Sequence, residues 1–168
     1  MKVEGSGLVV VGDDIDTDVM YPGAYLNVED PEQMAQYLFE GFDPSLRERL
    51  GEGTILVVGS NFGIGSSREH VPLAMKGSGI RGVVGRSFAR IFYRNCVNLG
   101  LAIVACPAAV DAARDGSRVV IDTSGSVEID GVARPSVASA RCVFPRPSRT
   151  SCCSRSPAWW RLRDAREE

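Results

Sequence analysis

The stretch that most constrains this chain runs from Thr54 to His70, T-I-L-V-V-G-S-N-F-G-I-G-S-S-R-E-H. Thr54 to Val58 is an unbroken apolar, largely β-branched run, which suits a strand buried on both faces. Gly59, Gly63 and Gly65 follow at once, and three glycines in seven residues let the backbone turn sharply and leave room for close approach. Ser66 to Glu69 then reads S-x-x-E, the pattern of a capping box at a helix start. Strand, glycine turn and helix N-terminus together gather unpaired N–H groups and aligned peptide dipoles, an arrangement that favours anions. Arg68 adds a planar, permanently charged fork that matches a carboxylate. The same letters also serve a plain turn and an ordinary cap, so the pattern by itself leaves both readings open.

Several established motifs are excluded. A dinucleotide fingerprint needs a third glycine where Arg68 stands, and a P-loop needs Gly-Lys-Ser/Thr, which the chain lacks. The hydrolase elbow G-x-S-x-G is missing. His70 is the only histidine, so a Ser/His/Asp triad would need nucleophile and base within one short helical stretch. At 168 residues and a net charge of −2, the chain fits a single domain and offers no electrostatic case for nucleic acid or an anionic membrane. It shows no basic-then-apolar leader and no apolar run of membrane-spanning length, so the expectation is a cytoplasmic protein. The five cysteines have no C-x-x-C spacing; reduced thiols are expected, and an iron–sulfur cluster held by this chain is not.

In chain order, Leu8 to Val11 reads as a short strand ending in the acidic run Asp13-Asp14-Ile15-Asp16-Thr17-Asp18. Alternating Asp suggests a calcium loop, but Val19 and Tyr25 stand where an EF-hand needs Gly and Glu. Asp30-Pro31 predicts a helix cap and first helical residue, with Met34, Tyr37, Leu38 and Phe39 forming its apolar face. A second short helix is predicted after Asp43-Pro44. Gly82 to Gly85 is a brief strand, Ser87 is read as the cap of a helix through Leu99 with Phe88, Ile91, Phe92 and Cys96 inward, and Gly100 stops it. Arg86, Arg90 and Arg94 would form one basic stripe, either solvated or facing an acidic partner. Leu101 to Ala105 is another strand, Pro107 starts a helix, and residues 119–129 read as a hairpin. Strands alternating with helices and then a terminal hairpin indicate an α/β sandwich with a mixed sheet. From Gly131 onward Arg, Ser, Cys and Pro dominate without apolar period. Residues 1–130 are therefore taken as the domain, and 131–168 as an atypical tail, frameshifted or disordered.

G-S-N-F-G-I-G-S-S-R-E-H, followed by G-I-R-G-V-V-G-R-S-F-A-R-I-F-Y-R-N at Gly79 to Asn95, resembles the swivel domain of the aconitase superfamily, and more narrowly the stand-alone small subunits of the 3-isopropylmalate dehydratases. The Asp13–Asp18 run and P-x-x-Y-L at Pro22 to Leu26 match in the same order. The resemblance implies a swivelling β/β/α sandwich. It also implies a hydro-lyase subunit that isomerises 2-isopropylmalate to 3-isopropylmalate by dehydration and rehydration in leucine synthesis. Carried over by motif, Ser66 is the expected catalytic base, and Ser67 and Arg68 bind substrate carboxylate. Tyr25, Leu26, Asn27 and Val28 form the loop that meets the rest of the substrate, with Asp16, Thr17, Asp18, Gly63, Gly65, Glu69 and His70 in support. The resemblance further implies a large partner subunit carrying a [4Fe–4S] cluster, while this chain holds no metal. Related subunits act on citraconate, dimethylmalate or homoaconitate, and a non-catalytic anion-binding module could use the same turn.

Overall fold

The computed structural model describes residues 2–65, 69–122 and 125–136. Seven strands form one sheet: β1 (Lys2–Val9), β2 (Thr54–Val58), β3 (Gly82–Gly85), β4 (Ala102–Ala105), β5 (Arg118–Asp122), β6 (Ser126–Ile129) and β7 (Val132–Pro135). Their order is β4-β3-β2-β1-β5-β6-β7. The first four run parallel, while β5, β6 and β7 add on antiparallel through the far edge of β1. The sheet is mixed, as the alternation of strands and helices predicts.

The unbroken apolar character of β2 has a direct cause in the packing. Leu56 and Val58 point into one core cluster with Val83 and Ile103, whereas Ile55 and Val57 point into a second with Val84, Ala102 and Val104. A strand covered on both faces leaves little room for polar side chains, and the one in β2, Thr54 at its start, is buried with its hydroxyl donating to the Gly51 carbonyl. Helices α1 (Thr17–Met20), α2 (Pro31–Met34), α3 (Ser45–Arg49), α4 (His70–Gly77) and α5 (Arg90–Asn98) supply Met20, Met34, Leu46, Met75 and Phe92 to the first cluster. On the opposite face α6 (Pro107–Ala112) contributes Ala109, and the β5–β6 ribbon contributes Val119, Ile121, Val127 and Ile129. Leu56 is fully buried at the centre of the first cluster. Leu56→Ala is expected to cost about 3 kcal/mol through lost transfer energy and an unfilled cavity, read as a fall in the urea midpoint at unchanged slope. A loss under about 1 kcal/mol would mean that the helical layer can close over the gap.

Helix boundaries follow local chemistry in three places. Asp30 accepts from the Glu32 amide with Pro31 next in line, the Asp43 carboxylate accepts from the Ser45 amide ahead of α3, and Pro107 opens α6. Elsewhere the expectations need correction. The helix after the glycine turn begins at His70 with Glu69 as its cap and no side-chain cap bond, so the capping box starting at Ser66 does not describe it. Helix α5 begins at Arg90, because Ser87 is engaged elsewhere and Phe88 bridges to Phe62. Ile91 is 47% exposed, not inward. Arg86 therefore precedes the helix and pairs with Asp111, so only Arg90 and Arg94 share the exposed α5 surface. Leu38 and Phe39 lie beyond the helical segment, Phe39 with φ +62°. Strand β1 starts at Lys2, well before Leu8, and β7 carries the sheet past residue 130. The tail from residue 137 lies outside the described residues.

Candidate functional site at the carboxyl ends of the parallel strands

In an open sheet with parallel strands, the loops leaving the carboxyl ends of neighbouring strands converge on one edge, the usual place for a ligand. Here three such loops meet: residues 10–18 after β1, 59–65 after β2, and 86–89 after β3. Hydrogen bonds stitch them together. The Ser60 amide donates to the Asp13 carboxylate at 2.5 Å, and the Asn61 side-chain amide donates to the Asp14 carboxylate at 2.7 Å. The Thr17 amide donates to the Ile64 carbonyl at 2.7 Å, and the Gly63 amide to the Ile15 carbonyl at 2.9 Å. On the other flank the Asn61 amide donates to Ser87 Oγ at 2.8 Å, and the Ala89 amide to the Phe62 carbonyl at 3.0 Å. Asp14 and Asn61 both hold left-handed backbone conformations, φ 55° and 52°, which cost energy in non-glycine residues and persist where surroundings over-determine them.

Two glycines of the turn are required by geometry. A Cβ on Gly63, at φ +82°, would sit 2.3 Å from the Phe92 ring. One on Gly65, at φ +97°, would sit 2.1 Å from the Asp16 carboxylate. Asp16 is meanwhile occupied as the cap of α1, accepting from the Asp18 amide at 2.7 Å. The acidic run therefore cradles the backbone of the turn. Asp16, Thr17, Asp18, Gly63 and Gly65 are thus gathered at one place, immediately before Ser66, Ser67 and Arg68. Those three lie outside the described residues.

Past that gap, His70 is the first residue of α4. Its ring packs on Tyr21, centroids 6.0 Å apart, and its Nδ1 is buried with no hydrogen-bond partner. Tyr21 in turn donates through its hydroxyl to the Tyr25 carbonyl at 3.0 Å, so the Tyr25–Val28 loop is tied to the helix that leaves the turn. Within that loop Asn27 is exposed, and Leu26 and Val28 are half-buried against the helical core cluster. Tyr25 stacks on Tyr37, centroids 3.9 Å apart, and donates to the Glu40 carboxylate at 2.8 Å. That bond, retained only while the phenol keeps its proton, raises the Tyr25 hydroxyl above the ordinary tyrosine range. The contributions of Asn61, Ser87, Tyr37 and Glu40 are not visible in sequence spacing, since each acts across a long loop.

The donor set speaks to an iron–sulfur cluster. Among the described residues no group of three His, Cys, Asp or Glu side chains is placed to hold a metal ion. The two described thiols, Cys96 and Cys106, are free and buried in separate core clusters. Burial pushes the Cys96 thiol far up, away from the thiolate that ligation needs. These residues do not fit a cluster's ligand set. No helix of the described residues is long and apolar enough to cross a membrane.

A mixed sheet with this turn at its parallel edge defines a class, and comparison with known families agrees: the chain belongs to the family described as the aconitase C-terminal domain, which matches residues 8–109. Within that family it stands with the 3-isopropylmalate dehydratase small subunits. It is 55% identical over 113 residues to 3-isopropylmalate dehydratase small subunit 1 of Methanopyrus kandleri, covering 67% of this chain and 66% of that protein. Identity to the small subunit of Caldanaerobacter subterraneus is 49% over 116 residues, 69% of this chain and 72% of the relative. The match thus spans about two thirds of the length of the first of these relatives. The crystal structure of a 3-isopropylmalate dehydratase from Methanocaldococcus jannaschii superposes with a TM-score of 0.74 at 38% identity, covering 82% of each chain.

Proposed function

We propose that this chain is the small subunit of a hydro-lyase of leucine synthesis, which converts 2-isopropylmalate to 3-isopropylmalate by removing water and restoring it with the hydroxyl on the neighbouring carbon. The observation that carries this reading is the glycine turn. It is pinned by the Asp13–Asp18 run on one flank and by Ser87 and Ala89 on the other, so that the chain enters Ser66-Ser67-Arg68 from a fixed direction. In this reading Ser66 takes the proton from the carbon beside a substrate carboxylate and returns it when water is added back. A serine alkoxide is unfavourable in water; in this reading the permanent charge of Arg68 lowers its energy, as does exclusion of solvent once the site closes. Ser67 and Arg68 hold a carboxylate, Arg68 through a two-pronged contact that a lysine cannot reproduce.

Leu26, Asn27 and Val28 face the group that distinguishes one malate from another. A neutral Asn followed by an apolar Val suits an isopropyl group, whose burial is favourable by about 0.8 kcal/mol per carbon, whereas an unpaired carboxylate there would cost several kcal/mol. The remaining half of the site, including the [4Fe–4S] cluster that acts on the leaving hydroxyl, belongs in this reading to a larger cytoplasmic partner subunit. The test is reconstitution. The purified chain alone should show no turnover; mixed with its cluster-bearing partner it should convert 2-isopropylmalate with a higher kcat/KM than homoaconitate, citraconate or cis-aconitate. Turnover by the isolated chain, or a tricarboxylate preferred by the pair, would overturn the assignment.

A further inference from the structure

The loop that follows Tyr21 is too short and too poor in regular structure to define its own shape. It contains one 3₁₀ turn, Gly23–Tyr25, and such single turns are weakly held by their own hydrogen bonds. What holds it is Tyr25, and every part of that residue is committed. Its ring face lies against Tyr37, nearly parallel at 11°. Its hydroxyl donates to Glu40, and its carbonyl accepts from both the Tyr21 hydroxyl and, at 3.0 Å, the Val28 amide. Glu40 is itself steadied by Arg47, 3.8 Å away, which also donates to the Gln36 carbonyl. A line of aromatic rings, Tyr37, Tyr25, Tyr21 and His70, thus runs from this ion pair to the first residue of α4.

We infer that Tyr25 is a positioning residue and not a substrate ligand: clamped by Glu40 and Tyr37, it holds Leu26, Asn27 and Val28 in the one arrangement that receives the substrate's alkyl group. The inference rests on the proposed dehydratase reading and adds to it the residues that set the loop. Leu26–Val28 hang from Tyr25 by the Val28 amide bond. Releasing the hydroxyl from Glu40 therefore frees the loop while the residues assigned to the chemistry stay unsubstituted. Such a change weakens binding of the alkyl group in ground state and transition state alike, which moves KM and leaves kcat in place.

The experiment uses the reconstituted complex with Tyr25→Phe, Glu40→Ala and Glu40→Gln, assayed on 2-isopropylmalate and on the malate bearing a methyl in place of the isopropyl group. Tyr25→Phe and Glu40→Ala are expected to raise KM for 2-isopropylmalate roughly tenfold, the scale of one hydrogen bond to a charged partner, with kcat within about twofold. The preference over the methyl analogue should shrink with it. Glu40→Gln, whose amide oxygen still accepts but carries no charge, should fall between the wild type and Glu40→Ala. Unchanged KM and preference in Tyr25→Phe would overturn the inference, as would losses confined to kcat, or Glu40→Gln as impaired as Glu40→Ala. Absence of turnover in the wild-type complex would instead overturn the functional reading, and this inference with it.

Discussion

Ser66→Ala is expected to lower kcat of the reconstituted enzyme about a thousandfold, the middle of the range for a positioned general base, while KM for 2-isopropylmalate moves by less than about threefold. The expectation follows from where the charge develops. If Ser66 carries the proton, its removal leaves Arg68 and Ser67 able to bind the dianion but with no group to take the proton. If Ser66 were only part of a turn, its loss would cost stability on the scale of about 1 kcal/mol or less and leave the chemical step alone. Steady-state kinetics together with thermal unfolding separates the two. A stable Ser66→Ala complex with kcat within a few-fold of wild type would remove Ser66 from the chemistry.

The second large effect is expected at Gly65, one residue earlier. Gly65→Ala places a methyl group 2.1 Å from the Asp16 carboxylate, at a backbone φ of +97°. The left-handed conformation costs roughly 1–2 kcal/mol in any L-residue, and displacing Asp16 weakens the cap of α1, worth about 1 kcal/mol. A total of about 2–3 kcal/mol is expected from chemical denaturation. Activity should fall further than stability suggests, because the clash pushes on the peptide that leads into Ser66 and a displacement of about 1 Å at a reacting group can cost a hundredfold. A double-mutant cycle isolates the cause. In an Asp16→Ala background the collision is absent, so Gly65→Ala should cost markedly less. An equal cost in both backgrounds would show that the carboxylate is not what the methyl group meets.

Some of this architecture is legible in the amino-acid sequence because local chemistry and tertiary burial agree. β2 and β3 keep the bounds Thr54–Val58 and Gly82–Gly85 because each is an apolar run stopped by glycine and buried on both faces. β1 was half hidden: Gly5 and Gly7 lie where a strand normally carries bulky residues, and only pairing with β2 and β5 makes them β. Serine before an apolar helix is usually its cap, but the Ser87 hydroxyl is taken by the Asn61 amide, and the helix starts three residues later. A helix begun at Ser87 would turn Ile91 inward; the helix begun at Arg90 leaves it exposed. At the site, the glycines and the acidic run could be read as neighbours only through resemblance to a family. The link from Tyr25 to Glu40 spans 15 positions and no pattern announces it.

The position of β1 bears on how the chain must assemble. Among the described residues it is the only strand that pairs parallel on one side and antiparallel on the other, with residues 54–57 along one edge and 118–122 along the opposite one. β1 is therefore fully enclosed later than β2 or β3, since its second edge waits until β5 has been made. Until then a row of free amide and carbonyl groups beside Val3 and Glu4 stays open to pairing with another chain. Such long sequence separations slow folding and prolong that interval. Isolation of this subunit is thus governed as much by the arrival of residues 118–122 as by the burial of the apolar strands that precede them.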